Sequence, residues 1–221
     1  FRRRVASVQV DNTGVIKAFY ALDEAPVFTN SGDDGTDPAF RNAAGMLCPT
    51  VGHADRMWAD IRARRLPRDI GWSWCTHSTT LDPSLAPPGK HCLGLHVWVP
   101  VDLAEGTWDD AARETMAMRL LDEYARCAPN ARDALIAWSA RSPWDYEQAM
   151  DNPNGNMFHV DYVPHQQFGF RPLPELSDYR SPIAGLYLSG AGMHPGPAVT
   201  GLPGHNTAQT LLADLEQKEA R

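Results

Sequence analysis

The chain has 221 residues and a mass of 24.4 kDa, which is enough for one sizeable domain or two small ones. Hydrophobic residues make up 43% of it and charged residues 21%, a balance that excludes extensive disorder and a coiled coil. The net charge of −7 disfavours a nucleic-acid partner, because such a surface repels a phosphate backbone.

Membrane insertion and a disulfide framework are also disfavoured. No apolar run approaches the ~20 residues that a transmembrane helix requires. The cysteines lie far apart, without a C-x-x-C pair, at Cys48, Cys75, Cys92 and Cys127. This spacing is typical of reduced thiols, so a cytoplasmic protein is predicted.

The first sixty-five residues predict a strand, a loop and a helix. Residues 15–22 are rich in β-branched and aromatic side chains, which favours a strand, and residues 30–45 read as a polar loop. A helix is predicted over residues 50–65, with Thr50 as its cap. Its apolar side chains recur every three or four positions, at Ala54, Met57, Trp58 and Ile61.

Two further strands are predicted over residues 71–80 and 91–99. The connection between them, residues 81–89, is rich in proline and can continue neither strand. We therefore expect the two strands to pair antiparallel.

The clearest helical pattern covers residues 107–128. Asp109 and Asp110 fall in its first turn, where the helix dipole favours negative charge, and Pro129 ends it. One stripe of the helix is formed by Ala112, Met116, Leu120 and Tyr124. A weaker helical segment is predicted from Ala131.

The last part of the chain predicts a strand, a glycine-rich loop and a helix. The strand covers residues 185–188, and the helix begins near residues 202–204. Its inward face is predicted to contain Ala208, Leu211, Leu212 and Leu215. The segment 185–209 holds six glycines, which permit positive φ angles and close approach to a ligand. Together with the positive end of the helix, this loop suits a flat, anionic cofactor.

The glycine spacing differs from the common dinucleotide fingerprint. Gly190, Gly192 and Gly196 give G-x-G-x-x-x-G, one residue longer than G-x-G-x-x-G, and no acidic residue ends a second strand ~20 positions later. A dinucleotide site of that type is therefore not predicted. A loop that merely turns a corner stays an open alternative.

Residues 185–215, GLYLSGAGMHPGPAVTGLPGHNTAQTLLADL, resemble the C-terminal flavin motif of the phytoene-desaturase-like FAD-dependent oxidoreductases, in the superfamily that includes amine oxidases. Further stretches resemble the branch called pyridine nucleotide-disulfide oxidoreductase domain-containing protein 2. They are LDPSLAPPGKH at residues 81–91, NPNGNMFH at 152–159 and FRPLPELSDYRSPIAGLYL at 170–188.

The resemblance implies an α+β fold and FAD as the cofactor. Residues 1–180 would be part of a substrate domain, with an antiparallel-rich sheet covered by the helices over 50–65 and 107–128. Residues 181–221 would be the C-terminal strand-loop-helix of an FAD-binding, Rossmann-like domain. The N-terminal half with G-x-G-x-x-G would be missing, as another part of the same gene product or as a separate subunit. The chain begins at Phe1, which also reads as a piece of something longer.

The resemblance also implies roles for single residues. Gly190, Ala191 and Gly192 would pass near the ribityl chain and pyrophosphate of FAD. The isoalloxazine ring would lie along Val199, Thr200, Gly201 and Leu202, with the helix start at Gly204 and Asn206 behind it. His194 would lie near the flavin, as an acid or base or as a packing histidine. Many superfamily members carry an acidic residue where this chain has Gly190-Ala191-Gly192.

The implied reaction is hydride transfer between flavin and an apolar, isoprenoid-like substrate, although no catalytic residue is assigned. Two alternatives stay open. The chain is a non-catalytic module that does not bind FAD without its N-terminal half, or it belongs to a split enzyme. A split enzyme predicts an exposed apolar patch around Leu186 and Leu211.

Other constellations support weaker hypotheses. His91 and His96 would point to opposite faces of a strand, so no metal site is predicted. Ser189 lacks the G-x-S-x-G context of a hydrolase. Five further side chains would suit the lining of a substrate cavity, although tryptophans on strands more often pack in the core or on a sheet face. They are Trp72, Trp74, Trp98, Asn156 and His159.

Overall fold

The computed structural model describes residues 1–29 and 44–220. They form two compact units, a central unit of Asn12–Gly155 and a terminal unit that combines Phe1–Asp11 with Asn156–Arg221. The functional division at residue 180 stays a prediction.

The helices of the described residues are Arg2–Val5 (α1), Val51–Arg62 (α2), Ser78–Leu81 (α3), Asp110–Ala125 (α4), Asn130–Asp133 (α5), Pro143–Met150 (α6) and Leu202–Glu219 (α7). The strands are Thr13–Leu22 (β1), Ala44–Leu47 (β2), Ser73–Thr76 (β3), His91–Pro100 (β4) and Leu135–Arg141 (β5). Short 3-10 turns connect several of them, at Pro83–Leu85, Pro153–Gly155, Pro164–Gln166, Phe168–Phe170 and Pro174–Leu176.

The central unit is built on one antiparallel sheet with strand order β2-β3-β4-β1-β5. This confirms the α+β class and the predicted antiparallel pairing. The first of the two predicted strands is shorter than expected, because β3 covers only Ser73–Thr76 and residues 78–81 form α3. His91 and His96 lie on opposite faces of β4, because side chains alternate along a strand.

One face of the sheet carries the main hydrophobic core. Ile16 and Tyr20 on β1 are buried beside Leu95 on β4, and they pack with Met57 on α2 and Leu120 on α4. The alternation of β1 explains this, since every second residue is buried against the helices. The helices predicted over 50–65 and 107–128 thus supply the core.

The ends of these two helices differ from the predicted bounds. Thr50 caps α2 as predicted, accepting a hydrogen bond from the His53 N–H, but the helix stops at Arg62 because Arg64 takes a left-handed φ of 57°. Helix α4 begins at Asp110 rather than Thr107. The Asp109 carboxylate caps it by accepting from the Ala112 N–H.

The weak helix predicted from Ala131 is largely wrong. A single turn, α5, is followed by the edge strand β5, in which Ala140 pairs with Ala18 of β1. Most of β5 faces solvent, so its hydrophobic pattern is weak. Helix α6 was also not predicted, although Ser142 and Asp145 form a reciprocal capping box at its start.

The loop predicted over residues 30–45 lies mostly outside the described residues. Of its positions, only Ala44 and Gly45 are described, and they begin β2.

In the terminal unit, α7 begins at Leu202 as predicted, but the strand at 185–188 does not form. Tyr187 makes a single β-bridge with Arg180, because no neighbouring strand in the described chain extends the ladder. The predicted inward face of α7 is also wrong, and Leu212 is 52% exposed. The side of α7 that packs carries Pro203 and Thr207 instead.

Candidate functional site

The terminal unit contains an open cavity of about 610 Å³ at the N-terminal end of α7. Its lining residues are Met157, Phe158, Ser189, Gly190, Ala191, Gly196, Pro197, Ala198, Val199, Thr200, Gly201, Pro203 and Gly204. None of these side chains is charged. The cavity is therefore lined by small and apolar side chains and by backbone.

The cavity brings together six of the residues predicted to contact a cofactor, namely Gly190, Ala191, Val199, Thr200, Gly201 and Gly204. The other four predicted residues, Gly192, His194, Leu202 and Asn206, do not line it. Their roles toward a cofactor stay predictions.

The loop before α7 has an unusual backbone. Gly190, Gly196 and Gly201 have φ values of 92°, 108° and 71°, which glycine adopts without strain. Ala198 and Val199 are also left-handed, with φ of 104° and 55°, and a β-branched residue rarely takes this conformation. Such strain is concentrated at ligand sites, where the surrounding structure must hold it.

Helix α7 presents free donors to this cavity. Gly201 is its N-cap. Among the described residues, the only side-chain acceptor for an N–H of the first turn is Thr200 Oγ1, which accepts from the Leu202 N–H at 3.2 Å. Within the same part of the chain, the N–H groups of Ala198, Val199 and Thr200 donate to no protein acceptor. Unpaired N–H groups at a helix start carry partial positive charge and attract anions.

Close approach of a neighbouring ring explains one of the glycines. A Cβ atom on Gly196, whose φ is 108°, would lie 3.3 Å from the Tyr162 ring. A Cβ atom on Gly192 would lie 3.4 Å from His159 Cβ, which is ordinary contact. The loop therefore packs on His159 and Tyr162, and a side chain at Gly196 would both strain its backbone and crowd the ring.

Arg171 organises this loop, and sequence reasoning did not identify it. Its side chain is fully buried, and two of its nitrogens donate to the Ala191 carbonyl at 2.9 and 3.1 Å. The remaining bonds go to the carbonyl oxygens of Phe158, Val160, Asp161 and Gln166. Burial lowers the pKa of Arg171 from its usual value, but a guanidinium stays charged in proteins. The only sequence signal was its place in the stretch FRPLPEL.

A buried carboxylate fixes the turn beside Arg171. Asp161 accepts hydrogen bonds from the Asp11 N–H at 2.8 Å and from the Asn156 amide at 2.9 Å. Burial raises the pKa of Asp161, and the nearby charge of Asp11 adds to this. Asn156 is thus a structural residue of this turn.

Tyr179 connects two of the predicted residues. Its hydroxyl donates to the His194 carbonyl at 3.2 Å and accepts from the Asn206 amide at 2.8 Å. The Asn206 side chain is therefore engaged with the protein. His194 Nδ1 is buried, and no hydrogen-bond partner for it lies in the described residues.

The central unit carries an aromatic cluster, called here the aromatic face, formed by Phe19, Trp72, Trp74, His96 and Trp98. Trp72 stacks on Trp98 with ring centroids 6.4 Å apart, and His96 stacks on Trp74 at 6.2 Å. Trp74 and Phe19 are 38% and 45% exposed. Burial, with a smaller contribution from the Lys17 charge, lowers the pKa of His96 to about 4. The imidazole is therefore neutral at physiological pH.

None of the helices in residues 1–29 and 44–220 combines the length and the apolar character needed to cross a bilayer. The same residues contain no group of three or more acidic, histidine or cysteine side chains arranged to hold a metal ion.

No family model matches the chain. It is 39% identical over 140 residues to mouse pyridine nucleotide-disulfide oxidoreductase domain-containing protein 2, covering 62% of this chain and 24% of that protein. It is 34% identical over 142 residues to the phytoene desaturase (lycopene-forming) of Pseudescherichia vulneris, covering 61% and 27%. A limonene dehydrogenase subunit of Castellaniella defragrans is 31% identical over 191 residues, covering 83% and 34%.

Among solved structures, an oxidoreductase from Methanosarcina mazei aligns with 97% of this chain and 36% of its own length, at 17% identity and a TM-score of 0.45. The chain spans a quarter to a third of the length of the curated relatives described above. Their identities of 31–39% confirm the resemblance predicted from the glycine loop. The chain is a relative of the phytoene-desaturase-like oxidoreductases over this part of their length.

Proposed function

We propose that this chain supplies the C-terminal flavin loop and part of the substrate domain of an FAD-dependent oxidoreductase. The single observation that carries the proposal is the cavity at the start of α7, where six residues of the predicted flavin motif meet. The chain is 31–39% identical to relatives that are named as an oxidoreductase domain-containing protein, a phytoene desaturase and a limonene dehydrogenase subunit, and this similarity supports the proposal.

The cavity fits a flavin in three respects. Its lining is small, apolar and largely backbone, which suits a flat ring system. The left-handed residues around Val199 leave N–H groups unpaired, and these suit the negative charge of a reduced flavin or of a phosphate. None of the lining side chains is charged, so none of them repels an anionic cofactor.

The flavin, when bound, supplies the hydride acceptor or donor. The chain binds and orients it: the loop between Gly190 and Gly201 shapes the cavity, and the N-terminal end of α7 faces it with positive partial charge. No side chain of this unit is assigned a proton-transfer role.

For the substrate, we propose an apolar, isoprenoid-like molecule. Phytoene and limonene, after which two of the relatives are named, are both isoprenoid hydrocarbons. The aromatic face of the central unit supports this class, because exposed rings such as Trp74 and Phe19 favour contact with apolar, unsaturated groups.

For the partner, we propose the N-terminal half that bears G-x-G-x-x-G, either in the same gene product or as a separate subunit. The exposed apolar side of α7 supports it, since Leu211, Leu212 and Leu215 are 37%, 52% and 46% exposed. Leu186 is also exposed, at 43%. A reduced, cytoplasmic compartment is proposed from the four free cysteines.

The test is the absorbance spectrum of the purified chain after incubation with FAD and removal of the excess. Stoichiometric retention by the chain alone supports a sufficient site, and retention only with the N-terminal half supports a divided one. No retention in either case contradicts the proposal and favours the non-catalytic module.

A matched pair of variants makes this test specific. Gly201→Val forces a β-branched residue to a φ of 71° inside the cavity lining, and we expect it to abolish FAD retention. Gly89→Val imposes the same strain at a φ of 77° in the central unit, with no atom within 4 Å of the added Cβ. We expect Gly89→Val to retain FAD as the unmodified chain does.

A further inference from the structure

A single row of side chains crosses the whole sheet of the central unit. Residues directly opposite each other in antiparallel strands share one face of the sheet. The strand pairings place opposite one another, in order from β2 to β5, Met46, Trp74, His96, Lys17 and Arg141. The row therefore joins the aromatic face to two cationic side chains.

The two cations lie side by side without a counter-charge. They are the only lysine and arginine in the five strands, and none of these strands carries an aspartate or glutamate. Lys17 and Arg141 are directly opposite each other, where Cβ atoms lie about 4.5–5.5 Å apart and like charges are destabilising. Neither forms an ion pair with a residue that the structure describes, and the Asp145 carboxylate near Arg141 pairs with Arg113 at 2.6 Å. An anion bound between the two cations would relieve their repulsion.

Protection of the sheet edge explains only one of these charges. Charged side chains on edge strands hinder unwanted strand pairing, and Arg141 lies on the edge strand β5. Lys17 instead lies on β1, which has a neighbour on each side, and it is half-buried. Its Nζ lies 5.0 Å from the centroid of the Phe19 ring, which holds the ammonium group over the sheet. A bound anion accounts for a cation in this inner position.

The opposite end of the row is apolar. Met46 and Trp74 are 59% and 38% exposed, and Trp74 stacks on His96 with ring centroids 6.2 Å apart. Adjacent strands lie ~4.8 Å apart, so the row spans about 19 Å and suits an elongated ligand. Exposed aromatic and thioether groups favour contact with an apolar, unsaturated chain.

The charged end suits one carboxylate. The N–H groups of β1 are used in pairing with its two neighbours, so the strand offers no free amides to a polyanion such as pyrophosphate. Two cations remain, and a guanidinium beside an ammonium group matches the two oxygens of a single carboxylate.

We propose that this row binds an elongated apolar carboxylic acid, with the carboxylate between Lys17 and Arg141 and the unsaturated chain along Trp74 and Met46. The inference rests on the proposed function and narrows its substrate class from an apolar molecule to an apolar acid. Lys17 and Arg141 are then the residues that determine specificity for the acid.

The experiment compares all-trans-retinoic acid with all-trans-retinol, which share one isoprenoid polyene and differ in the carboxylate. Equilibrium dialysis against the purified chain, at neutral pH and without FAD, measures the affinity for each. In the unmodified chain we expect the acid to bind at least about tenfold more tightly than the alcohol, because the carboxylate gains charge-assisted hydrogen bonds.

Variants separate the two ends of the row. The double variant Lys17→Met with Arg141→Met should bind the acid and the alcohol within about twofold of each other, whereas Lys17→Arg should keep the preference for the acid. Trp74→Ala should weaken both ligands about equally, because contact with the polyene does not depend on the head group. Arg132→Met is the matched control, since it removes a charge that pairs with Asp122 at 3.4 Å on helices of the same unit. We expect it to change either affinity by less than about twofold.

Three results would overturn the proposal. They are equal affinities of the unmodified chain for acid and alcohol, a folded double variant that still prefers the acid, and an absence of binding of either retinoid. The last result would favour a protein partner on this face. Circular dichroism checks folding, and the single variant Arg141→Met, at an exposed position, decides the matter if the double variant does not fold. It should reduce the preference about threefold, and an unchanged preference would contradict the proposal.

Failure of this inference and failure of the proposed function give different results. A chain that prefers retinoic acid but never retains FAD, with or without the N-terminal half, would contradict the proposed function and leave this site standing. A chain that retains FAD without any preference for the acid would overturn only the inference.

Discussion

Asp214 on α7 and Arg180 form a two-pronged ion pair, in which Nη2 and Nε of the guanidinium lie 2.8 and 2.9 Å from the two carboxylate oxygens. The Tyr187 hydroxyl donates to the same carboxylate at 2.7 Å. One acidic side chain therefore fastens α7 to both residues of the isolated β-bridge that takes the place of the predicted strand.

This relationship predicts an acid-sensitive attachment of α7. The Arg180 and Tyr187 hydrogen bonds lower the pKa of Asp214 from 3.8 to about 2. The folded pKa is depressed, so the stabilisation is present above pH 3.8 and is lost as the pH falls through about 2. Thermal unfolding between pH 5 and pH 2 should show this loss, and Asp214→Asn should lower the melting temperature at pH 5 and flatten the profile. Asp178→Asn, which removes only a single bond to Arg180, should have the smaller effect.

The core of the central unit predicts a second outcome. The Tyr124 hydroxyl lies 2.8 Å from His77 Nε2, and both side chains are buried. Tyr124→Phe removes this bond from a low-dielectric interior and should lower the free energy of unfolding by about 1–3 kcal/mol. Tyr146→Phe, on a half-buried ring of α6, should change it by less than about 0.5 kcal/mol. Urea unfolding measures both, and equal values for the two variants would contradict the interpretation.

Gly155 cannot carry a side chain, both because of its φ angle and because the Pro143 backbone lies too close. Its φ is 53°, and an added Cβ would fall 2.1 Å from the Pro143 carbonyl oxygen. Gly155→Ala should therefore destabilise the chain by about 2 kcal/mol more than Gly89→Ala, because only the first combines left-handed strain with overpacking. Gly89 has a φ of 77° and open space around it. Similar melting temperatures for the two variants would show that the backbone around Pro143 relaxes freely.

His96 predicts a titration that can be observed directly. With a pKa of about 4, its ring resonances should stay constant from pH 8 to pH 5 and shift only below that range. The folded pKa is below the ordinary 6.5, so this histidine's contribution to stability is present above pH 6.5 and is lost as the pH falls through about 4. Lys17→Met should raise the pKa modestly, because burial is the larger cause. A midpoint near 6.5 in the unmodified chain would show that the aromatic face is hydrated rather than packed.

The spacing of apolar residues correctly predicted the strands and helices that bury only one of their faces. The strand around Ile16 and the helix around Met116 were found because each buries a regular set of apolar positions in one core. Strand β5 was missed because an edge strand with most residues exposed leaves little pattern to detect. The capping box at Ser142 and Asp145, in contrast, is a local signal that lies in the sequence itself.

The site was predictable where it depends on backbone and not where it depends on a distant side chain. A glycine such as Gly201 indicates, from the sequence alone, a position where the backbone can be left-handed. Arg171 could not be recognised in this way, because its hydrogen bonds to Phe158 and Ala191 are contacts between segments 13 and 20 residues away along the chain. The inward face of α7 was predicted wrongly. An apolar stripe indicates which side of a helix favours burial, but it does not show whether the residues of this chain bury that side.

The terminal unit draws on both ends of the described chain: Arg4 pairs with Glu175, and the Asp161 N–H donates to the Gln9 carbonyl at 3.0 Å. During synthesis the central unit is complete once Gly155 has left the ribosome, whereas the first eleven residues must wait for Asn156 and everything that follows. The cavity at α7 therefore cannot assemble until the residues after Gly155 have been synthesised. A chain that ended just after Gly155 would hold all five strands of the sheet but none of the glycine loop.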